Sequence, residues 1–468
     1  MSGALRNAGL CRLKQGACRR NGLRRSTVGP GKKQKLMHYS SALINKSMSL
    51  TVWEGTSLLF ISAAMVFPRS YLVFKLAMFV IFLLFNMASL TGEKRIIVHG
   101  RVIVFYCVIA AMGLFWAVVG YINGGAFQGI LDNLRLYVMW SVVLCVFFNL
   151  LLRGRALLIL HRSIVVSAII ITTMNILAVL NYAGRFGYIP EAVIEELHMF
   201  VGVHNGYVQI VSHNIGTLFF ITAYLMALQF RKDAHGLNGA AEKLALLLCL
   251  VVVILSGRRA LWVAISMVPF TTVLLAMVTG SSGRLRGKGW LSLVMLAGFI
   301  PVIVVLEFVI TGEYMESPTL MHLQAAFSAS DERSIQAGYL IEGFRAYPVF
   351  GSGFGVSAGY LRSEGSPWLY ELTYHQLLFN FGLVGISLFV ILLAVYSYYT
   401  LSFIAHGSPY SVCAFSLFVA IIIFSLGAYS NPYFGSFDFL LLLGILPLIS
   451  ASFRFENGNS TTAPSGVL

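Results

Sequence analysis

Two adjacent arginines, Arg258 and Arg259, join the hydrophobic runs 244–255 and 260–278 in a turn of a few residues. The distribution of Lys and Arg over the other connections predicts that this turn lies on the outer face of a membrane, where basic residues are depleted. A charge kept at a membrane boundary costs energy, and it therefore indicates a functional site. Paired guanidiniums suit a phosphate-bearing ligand, because each is a planar fork of donors that stays protonated. The alternative is that both side chains snorkel to lipid headgroups.

The outward connections contain few other arginines: Arg69, Arg185, Arg333, Arg345 and Arg362. The last three lie in the long loop, where we look for ligand contacts. The chain has only four aspartates and no D-x-D motif, so a divalent-cation site for a sugar-nucleotide diphosphate is not expected. It has no P-loop or dinucleotide fingerprint either, and the sequence predicts neither a metal nor a cofactor. A bound diphosphate would then be neutralised by arginines, although Arg333 and Arg345 could instead pair with neighbouring acidic residues.

Two candidate general bases precede an apolar run that begins near residue 376. Glu371 and His375 are four residues apart and would share one face of a helix. Partial desolvation at a membrane interface can bring the pKa of either group toward neutrality, as a general base requires. The alternatives are a solvated acid at a helix start for Glu371 and a packing histidine for His375.

The elements that position these residues are predicted to be membrane helices. The mean hydropathy is +0.81 and only 11% of the residues are charged, which excludes a soluble globular protein. About twelve continuous apolar runs approach the ~20 residues that a spanning helix needs. They lie near 52–68, 70–90, 102–121, 136–152, 160–181, 213–230, 243–256, 260–280, 289–311, 376–399, 410–428 and 435–453. Four of the six cysteines lie inside these runs, and no disulfide framework is predicted.

The charge distribution predicts the orientation. The segment 1–47 carries eleven Lys and Arg and no acid, and it is predicted to be a disordered cytoplasmic tail. Translation could also begin at Met37 or Met48. Alternate connections are basic, so both termini are predicted to be cytoplasmic, and the net charge of +15 indicates topology and headgroup contact instead of nucleic-acid binding.

The predicted fold class is therefore an all-α polytopic membrane protein of about twelve helices with one long external loop. Its parts are a tail 1–47, spans one to nine within 48–311, an external loop 312–375, spans ten to twelve within 376–453, and a cytoplasmic tail 454–468. In the loop, Ser330 is a predicted N-cap of a helix that ends near Pro348. The glycines of Gly351-Ser-Gly353-Phe-Gly355 predict a flexible elbow after it.

Short motifs in order along residues 210–390 resemble those of the bacterial O-antigen ligase and O-antigen (Wzy-type) polymerase superfamily. Leu255-Ser-Gly-Arg-Arg-Ala-Leu is similar to the S-x-S-R-G segment of that family, with Arg259 at the family arginine. The other similar segments are Tyr347-Pro-Val-Phe-Gly-Ser-Gly353-Phe-Gly (P-x-x-G-x-G-x-x), Tyr374-His-Gln-Leu-Leu-Phe-Asn-Phe-Gly382-Leu-Val-Gly385 (L-x-x-x-G-x-x-G) and His213-Asn214-Ile-Gly-Thr (P-N-x-x-G).

The resemblance implies metal-independent glycosyl transfer on the outer face of a bacterial inner membrane. The donor would be a glycan on undecaprenyl diphosphate, held by Arg259 and Arg333. Arg258 and Arg345 are further candidates for diphosphate contact, but with Arg259 at the family position Arg258 becomes an auxiliary residue for which contact with a lipid headgroup is the favoured alternative. A base at the start of span ten would deprotonate an acceptor hydroxyl for attack with inversion at the anomeric carbon. The other matched positions, His213, Asn214 and Gly353, become substrate-contact candidates. A flippase and a chain-length regulator of the same pathway would be partners, and nucleic acid would not.

At one position the residue type differs from that of the ligases. Their histidine stands eleven residues before the first glycine of L-x-x-x-G-x-x-G, and counting back from Gly382 that residue is Glu371 here. Either Glu371 is the base or His375 substitutes from the next turn. A residue other than histidine favours chain polymerisation over ligation. Substituting either Arg259 or Glu371 with alanine is expected to abolish polymer formation.

Two further classes remain. A transporter or lipid-linked-glycan flippase would show internal repeats and ionisable residues at mid-membrane, whereas Lys75 and Glu307 lie near the ends of runs. A non-catalytic scaffold of a polysaccharide-export complex would tolerate Arg259→Ala.

Overall fold

A computed structural model of the chain describes residues 52–90, 98–152, 155–184, 189–204, 207–234, 237–285, 331–362, 364–407, 410–434 and 436–460. All of them belong to one unit, Met48–Leu468. The predicted tail 1–47, the ninth apolar run at 289–311 and the first part of the long loop lie outside the described residues. Each of the other eleven predicted runs contains a helix.

The helices begin with α1 (Val52–Val66), α2 (Leu72–Leu90), α3 (Gly100–Ile122), α4 (Phe127–Leu134), α5 (Ser141–Leu151), α6 (Ala156–Tyr182) and α7 (Glu191–Glu196). A π-helical turn, Arg135–Trp140, joins α4 to α5. The later helices are α8 (Leu218–Gln229), α9 (Ala240–Leu255), α10 (Arg259–Ser266), α11 (Val268–Val278), α12 (Asp331–Ala346), α13 (Thr373–His406), α14 (Ser411–Gly427), α15 (Phe437–Leu443) and α16 (Ile445–Ser460). The helix predicted after Ser330 is α12, and α16 continues beyond the predicted end of span twelve at 453.

Within the described part of the chain, five helical segments are long and apolar enough to cross a membrane: Gly100–Ile122, Phe127–Leu151, Ala156–Tyr182, Ala260–Val278 and Thr373–His406. The faces of these helices that point away from the bundle are apolar. Val104 and Val118 on α3 and Val390 and Ile391 on α13 are each more than half exposed. Such contiguous apolar surface is expected against lipid and not against water.

The core lies around α8 and α14, which are apolar on all sides. Phe219, Phe220 and Ile221 of α8 are fully buried, as are Phe415 and Val419 of α14. A helix that is hydrophobic all round has no face to offer solvent, and it is stable only when other helices surround it.

Hydrogen bonds between connections define the two ends of the bundle. At one end the connections α1–α2, α3–α4, α6–α8, α14–α15 and the segment after α12 meet. Contacts at this end include Ser70 Oγ to Glu196 O (2.6 Å), Asn123 Nδ2 to Ser352 O (3.0 Å) and Thr373 Oγ1 to Asn431 O (2.5 Å). At the other end Arg101 bonds Ser450 O (2.6 Å), Arg155 pairs with Glu54 (2.8 Å) and Lys232 N bonds Arg284 O (2.9 Å). Connections that alternate along the described part of the chain therefore share an end of the bundle.

A β-hairpin interrupts the otherwise helical chain. Strands β1 (Phe200–His204) and β2 (Tyr207–Val211) pair antiparallel, with Phe200 opposite Val211 and His204 opposite Tyr207. The all-α prediction missed this element, although Asn205-Gly206 between two runs of alternating branched residues is a strong hairpin signal. The hairpin lies at the first end described above.

The segment predicted to be a flexible elbow is instead packed against two helices. Residues 351–355 are all buried. Helix α13 is kinked at Gly382 (φ 59°, ψ −168°), which releases backbone groups from its hydrogen-bond ladder. The elbow and the residues just before it satisfy these groups. Ser352 N bonds Phe379 O (2.8 Å) and Gly353 N bonds Asn380 O (3.0 Å), while Pro348 O and Val349 O accept from Leu383 N (2.9 Å) and Val384 N (3.0 Å). The broken helix and the glycine segment therefore stabilise each other.

Glycine is required at residue 353 because the backbone of α3 lies against it. A Cβ at this position would be 2.0 Å from Gly120 N, and φ is +81°. We expect Gly353→Ala to destabilise the protein by at least ~2 kcal/mol, from overpacking and left-handed strain together. Thermal unfolding in detergent measures this. Gly338→Ala on the exposed face of α12, where a Cβ meets nothing within 4 Å, is the control and is expected to be neutral or slightly stabilising. An equal loss in both variants would contradict the packing role.

Candidate functional site

Helix α12 fixes the start of α13 through one buried glutamine. A stripe of Gln336, Leu340 and Gly343 follows the i, i+4, i+7 spacing of a single helix face. Gln336 Oε1 accepts hydrogen bonds from the amides of Glu371 (3.0 Å) and Leu372 (3.2 Å), just before α13 begins. Because Arg333 is three residues before Gln336, it lies on the same face of α12 and is brought beside Glu371.

Glu371 holds two arginines. Its Oε2 accepts from Arg333 Nε at 3.2 Å, and its Oε1 accepts from Arg362 at 2.7 Å. The side chains are 53% exposed for Arg333, 39% for Arg362 and 28% for Glu371. Exposed ion pairs of this kind contribute little free energy, so an incoming anion can displace the carboxylate at small cost.

Arg258 comes from the turn between α9 and α10. Gly257 has φ +61°, which turns the chain sharply, and Arg258 is the N-cap of α10. Its guanidinium is partly buried and lies 3.4 Å from Asn431 Oδ1. Burial lowers the pKa of this guanidinium from its ordinary value, and the positive charges of Arg69 and Arg333 act in the same direction. An arginine remains protonated under such a shift, so the charge is one that an anion would stabilise.

These side chains line one cleft of about 570 Å³ at the hairpin end of the bundle. We call it the arginine cleft. Its four arginines are Arg69, Arg258, Arg333 and Arg362. Its other walls include His198, Gln209, Ser212, His213, Trp262, Glu371, Asn431, Tyr433, Ser436 and Asp438. Four guanidiniums face two carboxylates there, so the cleft is cationic and suits a multiply charged anion.

His213 is held as a neutral ring in this cationic cleft. It lies in the connection between β2 and α8, and its ring contacts that of His198 with centroids 4.4 Å apart. The pKa of His213 is lowered to about 4, first by burial and then by the positive charges of Arg69, His198 and Arg258. Near neutral pH the ring can therefore donate or accept a hydrogen bond without adding charge.

This shift predicts a pH dependence of stability. Below pH 6.5 the unfolded chain protonates His213, whereas the folded protein does so only near pH 4, so stability is lost as the pH falls through this window. The expected loss is roughly 1–3 kcal/mol. Between pH 7 and pH 4 the melting temperature of wild type in detergent should fall by more than that of His213→Gln, because only wild type has this group to protonate. Parallel pH profiles for the two proteins would contradict the shift.

The structure brings together Arg258, Arg333, Glu371 and His213 among the residues singled out from sequence. Arg345 is exposed in the last turn of α12 and does not line the cleft. The side chain of Arg259 lies outside the described residues, although its backbone begins α10.

Three other candidates, His375, Asn214 and Gly353, pack against other parts of the protein. His375 does not line the arginine cleft, and its ring lies 6.2 Å from that of Tyr429. Because α13 begins at Thr373, Glu371 precedes the helix, so the expectation that it shares a helical face with His375 is wrong. Asn214 is fully buried, and its Oδ1 accepts from Ser212 Oγ at 2.7 Å. Gly353 packs against Gly120, as described above.

Sequence reasoning did not select Arg69 or Asp438 as site residues. Arg69 lies in the α1–α2 connection, where it bonds the carbonyl of Pro432, and Asp438 lies in the first turn of α15. The signal for Arg69 was available, since the charge rule that singled out Arg258 also places Arg69 in an outward connection. Asp438 lies in an apolar run and carried no such signal.

No family model matches the chain, and no curated protein is significantly similar to it. The resemblance to O-antigen ligases and polymerases therefore rests on the short motifs alone. Among the described residues, no three His, Cys, Asp or Glu side chains gather closely enough to form a metal site. The cleft guanidiniums are groups suited to a phosphate.

Proposed function

We propose that this protein is a bacterial inner-membrane glycosyltransferase that polymerises undecaprenyl-diphosphate-linked repeat units into a surface polysaccharide. The observation that carries the proposal is the convergence of Arg69, Arg258, Arg333 and Arg362 on one cleft. The motif resemblance supports the same ligand class independently, because it implies a diphosphate donor held by arginines.

In this proposal the cleft faces the periplasm and both termini are cytoplasmic. The opposite end of the bundle carries basic residues in successive connections: Arg101, Arg155, Arg162, Arg231, Lys232, Lys243 and Arg284. Basic residues favour the cytoplasmic side, which leaves the arginine cleft on the outer side, where lipid-linked repeat units are assembled into polymer.

The reaction is a displacement at the anomeric carbon of the donor sugar. An acceptor hydroxyl oxygen forms the new glycosidic bond, and the bond from the anomeric carbon to the diphosphate oxygen breaks with its electron pair going to the diphosphate. The leaving group therefore gains negative charge, which fixed guanidiniums stabilise most in the transition state. The acceptor proton goes to a general base.

Glu371 is the base in this proposal, and its ion pairs explain why the carboxylate becomes available only after the donor has bound. In the empty cleft the carboxylate accepts from Arg333 and Arg362. A diphosphate offers the same guanidiniums more negative charge and more acceptor oxygens, so it displaces the carboxylate. Glu371 is thereby released to accept a proton only when the donor is bound.

A strain lacking the gene tests the function by gel analysis of its glycans. A polymerase predicts that single repeat units accumulate. If lipid-linked polymer accumulates with unmodified lipid A-core, the protein is instead a ligase, the other activity that the resemblance implies. An unchanged glycan profile would overturn both activities.

A further inference from the structure

A second cavity of about 320 Å³ adjoins the arginine cleft, and the two share Arg69, Arg362 and Pro432 as walls. We call it the side cavity. Among the described residues that line it, the charged side chains are four basic ones and one acid: Arg69, Lys75, Arg135, Arg362 and Asp132. Its excess of positive charge favours an anion as ligand.

The single acid leaves most of this charge uncompensated. Asp132 Oδ1 accepts from Gln128 Nε2 (3.0 Å) and lies 3.7 Å from Arg135 Nη1, in a pair whose side chains are 40% and 49% exposed. An exposed pair of this kind contributes little free energy, so Arg135 remains available to a second anion. Arg69 forms no ion pair with a carboxylate of the described residues, and its guanidinium bonds the carbonyl of Pro432.

Lys75 places a further positive charge at the wall of the side cavity. It lies in the apolar run of α2 and is only 2% exposed. Its ammonium donates to Phe67 O (2.9 Å) and lies 4.9 Å from the ring centroid of Phe437, and no carboxylate in the described part of the chain pairs with it. A cation kept inside an apolar run costs energy, which indicates a function. Because Lys75 is buried, we expect it to act through its electric field, while the exposed arginines make the direct contacts.

A π-helical turn, Arg135–Trp140, forms part of the same wall. Arg135 and Trp140 are five residues apart, which is about one turn of a π-helix, so both reach the side cavity. In an α-helix the two side chains would diverge by about 140°. Turns of this type are rare and are frequent at functional sites. The backbone therefore points to a ligand site independently of the charges.

The surroundings of the side cavity indicate that the ligand comes from the membrane. The uncharged part of its wall is largely aromatic and apolar: Leu72, Leu136, Trp140, Trp368, Tyr370 and Phe437. Trp and Tyr are typical of the membrane–water interface. Val73 and Phe74 of α2 and Leu131 of α4, each next to a lining residue in sequence, are exposed, so lipid can reach both helices beside the cavity. A volume of 320 Å³ is at the lower end for ligand pockets, and it suits a headgroup better than a whole lipid.

We propose that the side cavity binds the phosphate of a lipid headgroup, with Arg135, Arg69 and Arg362 as its contacts. This site is separate from the proposed transferase activity and does not depend on it. Two kinds of lipid carry such a phosphate, a membrane phospholipid and a polyprenyl diphosphate. Because Arg69 and Arg362 are shared with the arginine cleft, the side cavity is the weaker of the two sites for a diphosphate.

Native mass spectrometry of the purified full-length protein in detergent tests the site. The probes are phosphatidylglycerol and diacylglycerol, which lacks the phosphate. Arg135→Ala should weaken phosphatidylglycerol by about tenfold and leave diacylglycerol unchanged, because a charge-assisted hydrogen bond to the phosphate is lost. Lys75→Met removes the buried charge and should act in the same direction. Arg345→Ala removes an exposed arginine outside both cavities, and this control should bind as wild type does.

A third probe, undecaprenyl diphosphate, identifies the source of the phosphate. In Arg258→Ala/Arg333→Ala the arginine cleft is weakened, so binding that remains reports the side cavity. If adding Arg135→Ala removes that binding, the site takes a polyprenyl diphosphate. If only phosphatidylglycerol responds to Arg135→Ala, the site takes a phospholipid. Unchanged binding of both lipids on loss of Arg135 or Lys75 would overturn the inference, and the proposed function, which rests on the arginine cleft, would stand.

Discussion

Arg258→Ala is expected to lower the rate of polymer formation by about 10²–10³-fold, because a fixed donor aimed at developing charge is worth that much in transition-state stabilisation. Arg258 is the most buried of the four cleft arginines, and the neighbouring cations lower its pKa further. Its charge is therefore the least screened by water, and its removal should have a larger effect than removal of the exposed Arg333. The measurement is the rate at which purified lipid-linked repeat units are converted to longer chains.

Arg345→Ala is the matched control for this variant. It removes the same side chain from α12, one of the elements that build the cleft, but Arg345 is exposed and does not line the cleft. It should retain near-wild-type activity. Arg258→Lys keeps the charge and loses the planar fork, so it should recover only part of the rate. Full activity in Arg258→Ala would contradict the role of Arg258 in stabilising the leaving diphosphate. Arg259→Ala in the same assay tests whether Arg259, the arginine at the family position of the motif, is required.

Glu371→Gln should lower kcat by about 10²–10⁴-fold, the usual contribution of a positioned general base. The amide cannot accept the acceptor-hydroxyl proton, and it no longer neutralises Arg333 and Arg362. Donor binding should therefore stay the same or become tighter, because a competing anion has been removed from the empty cleft. The steady-state kinetics of chain extension, with donor concentration varied, separates kcat from KM.

A purely positioning role for Glu371 gives a different result. If the carboxylate served only to place the two arginines, its loss would raise the KM for the donor and leave kcat nearly unchanged. The control is His375→Gln, at the other base candidate, whose ring lies beside Tyr429 and outside the cleft. It should keep wild-type kcat, and a large loss there with retention in Glu371→Gln would transfer the base role to His375.

The features of the site that could be predicted from sequence are those encoded by local charge and composition. Arg258 stands out because basic residues avoid outward turns, and Glu371 is found by counting from the glycines of a degenerate motif. Helix α12 could be predicted from the residues at 330–332 that favour a helix start and from Pro348, which lies two residues after the helix ends at Ala346.

The features that could not be predicted depend on distant parts of the chain meeting. Residues 351–355 have the composition of a flexible loop, yet they are buried, because Gly120 packs against Gly353 and the kink at Gly382 packs against Gly351. The pairing of Glu371 with Arg333 depends on Gln336, whose side chain bonds two amides across 35 residues of sequence. Asp438 could not be selected from sequence either. It lies in an apolar run, and its place in the cleft depends on where α15 packs.

The central claim is that the arginine cleft binds a lipid diphosphate, and calorimetric titration of the purified protein in detergent tests it most directly. Undecaprenyl diphosphate should bind more tightly than undecaprenyl monophosphate, since the cleft offers four guanidiniums to the larger charge. The double variant Arg258→Ala/Arg333→Ala should weaken the diphosphate by at least about tenfold and remove that preference. Equal affinity for the two lipids in wild type, or an unchanged affinity in the double variant, would contradict the account.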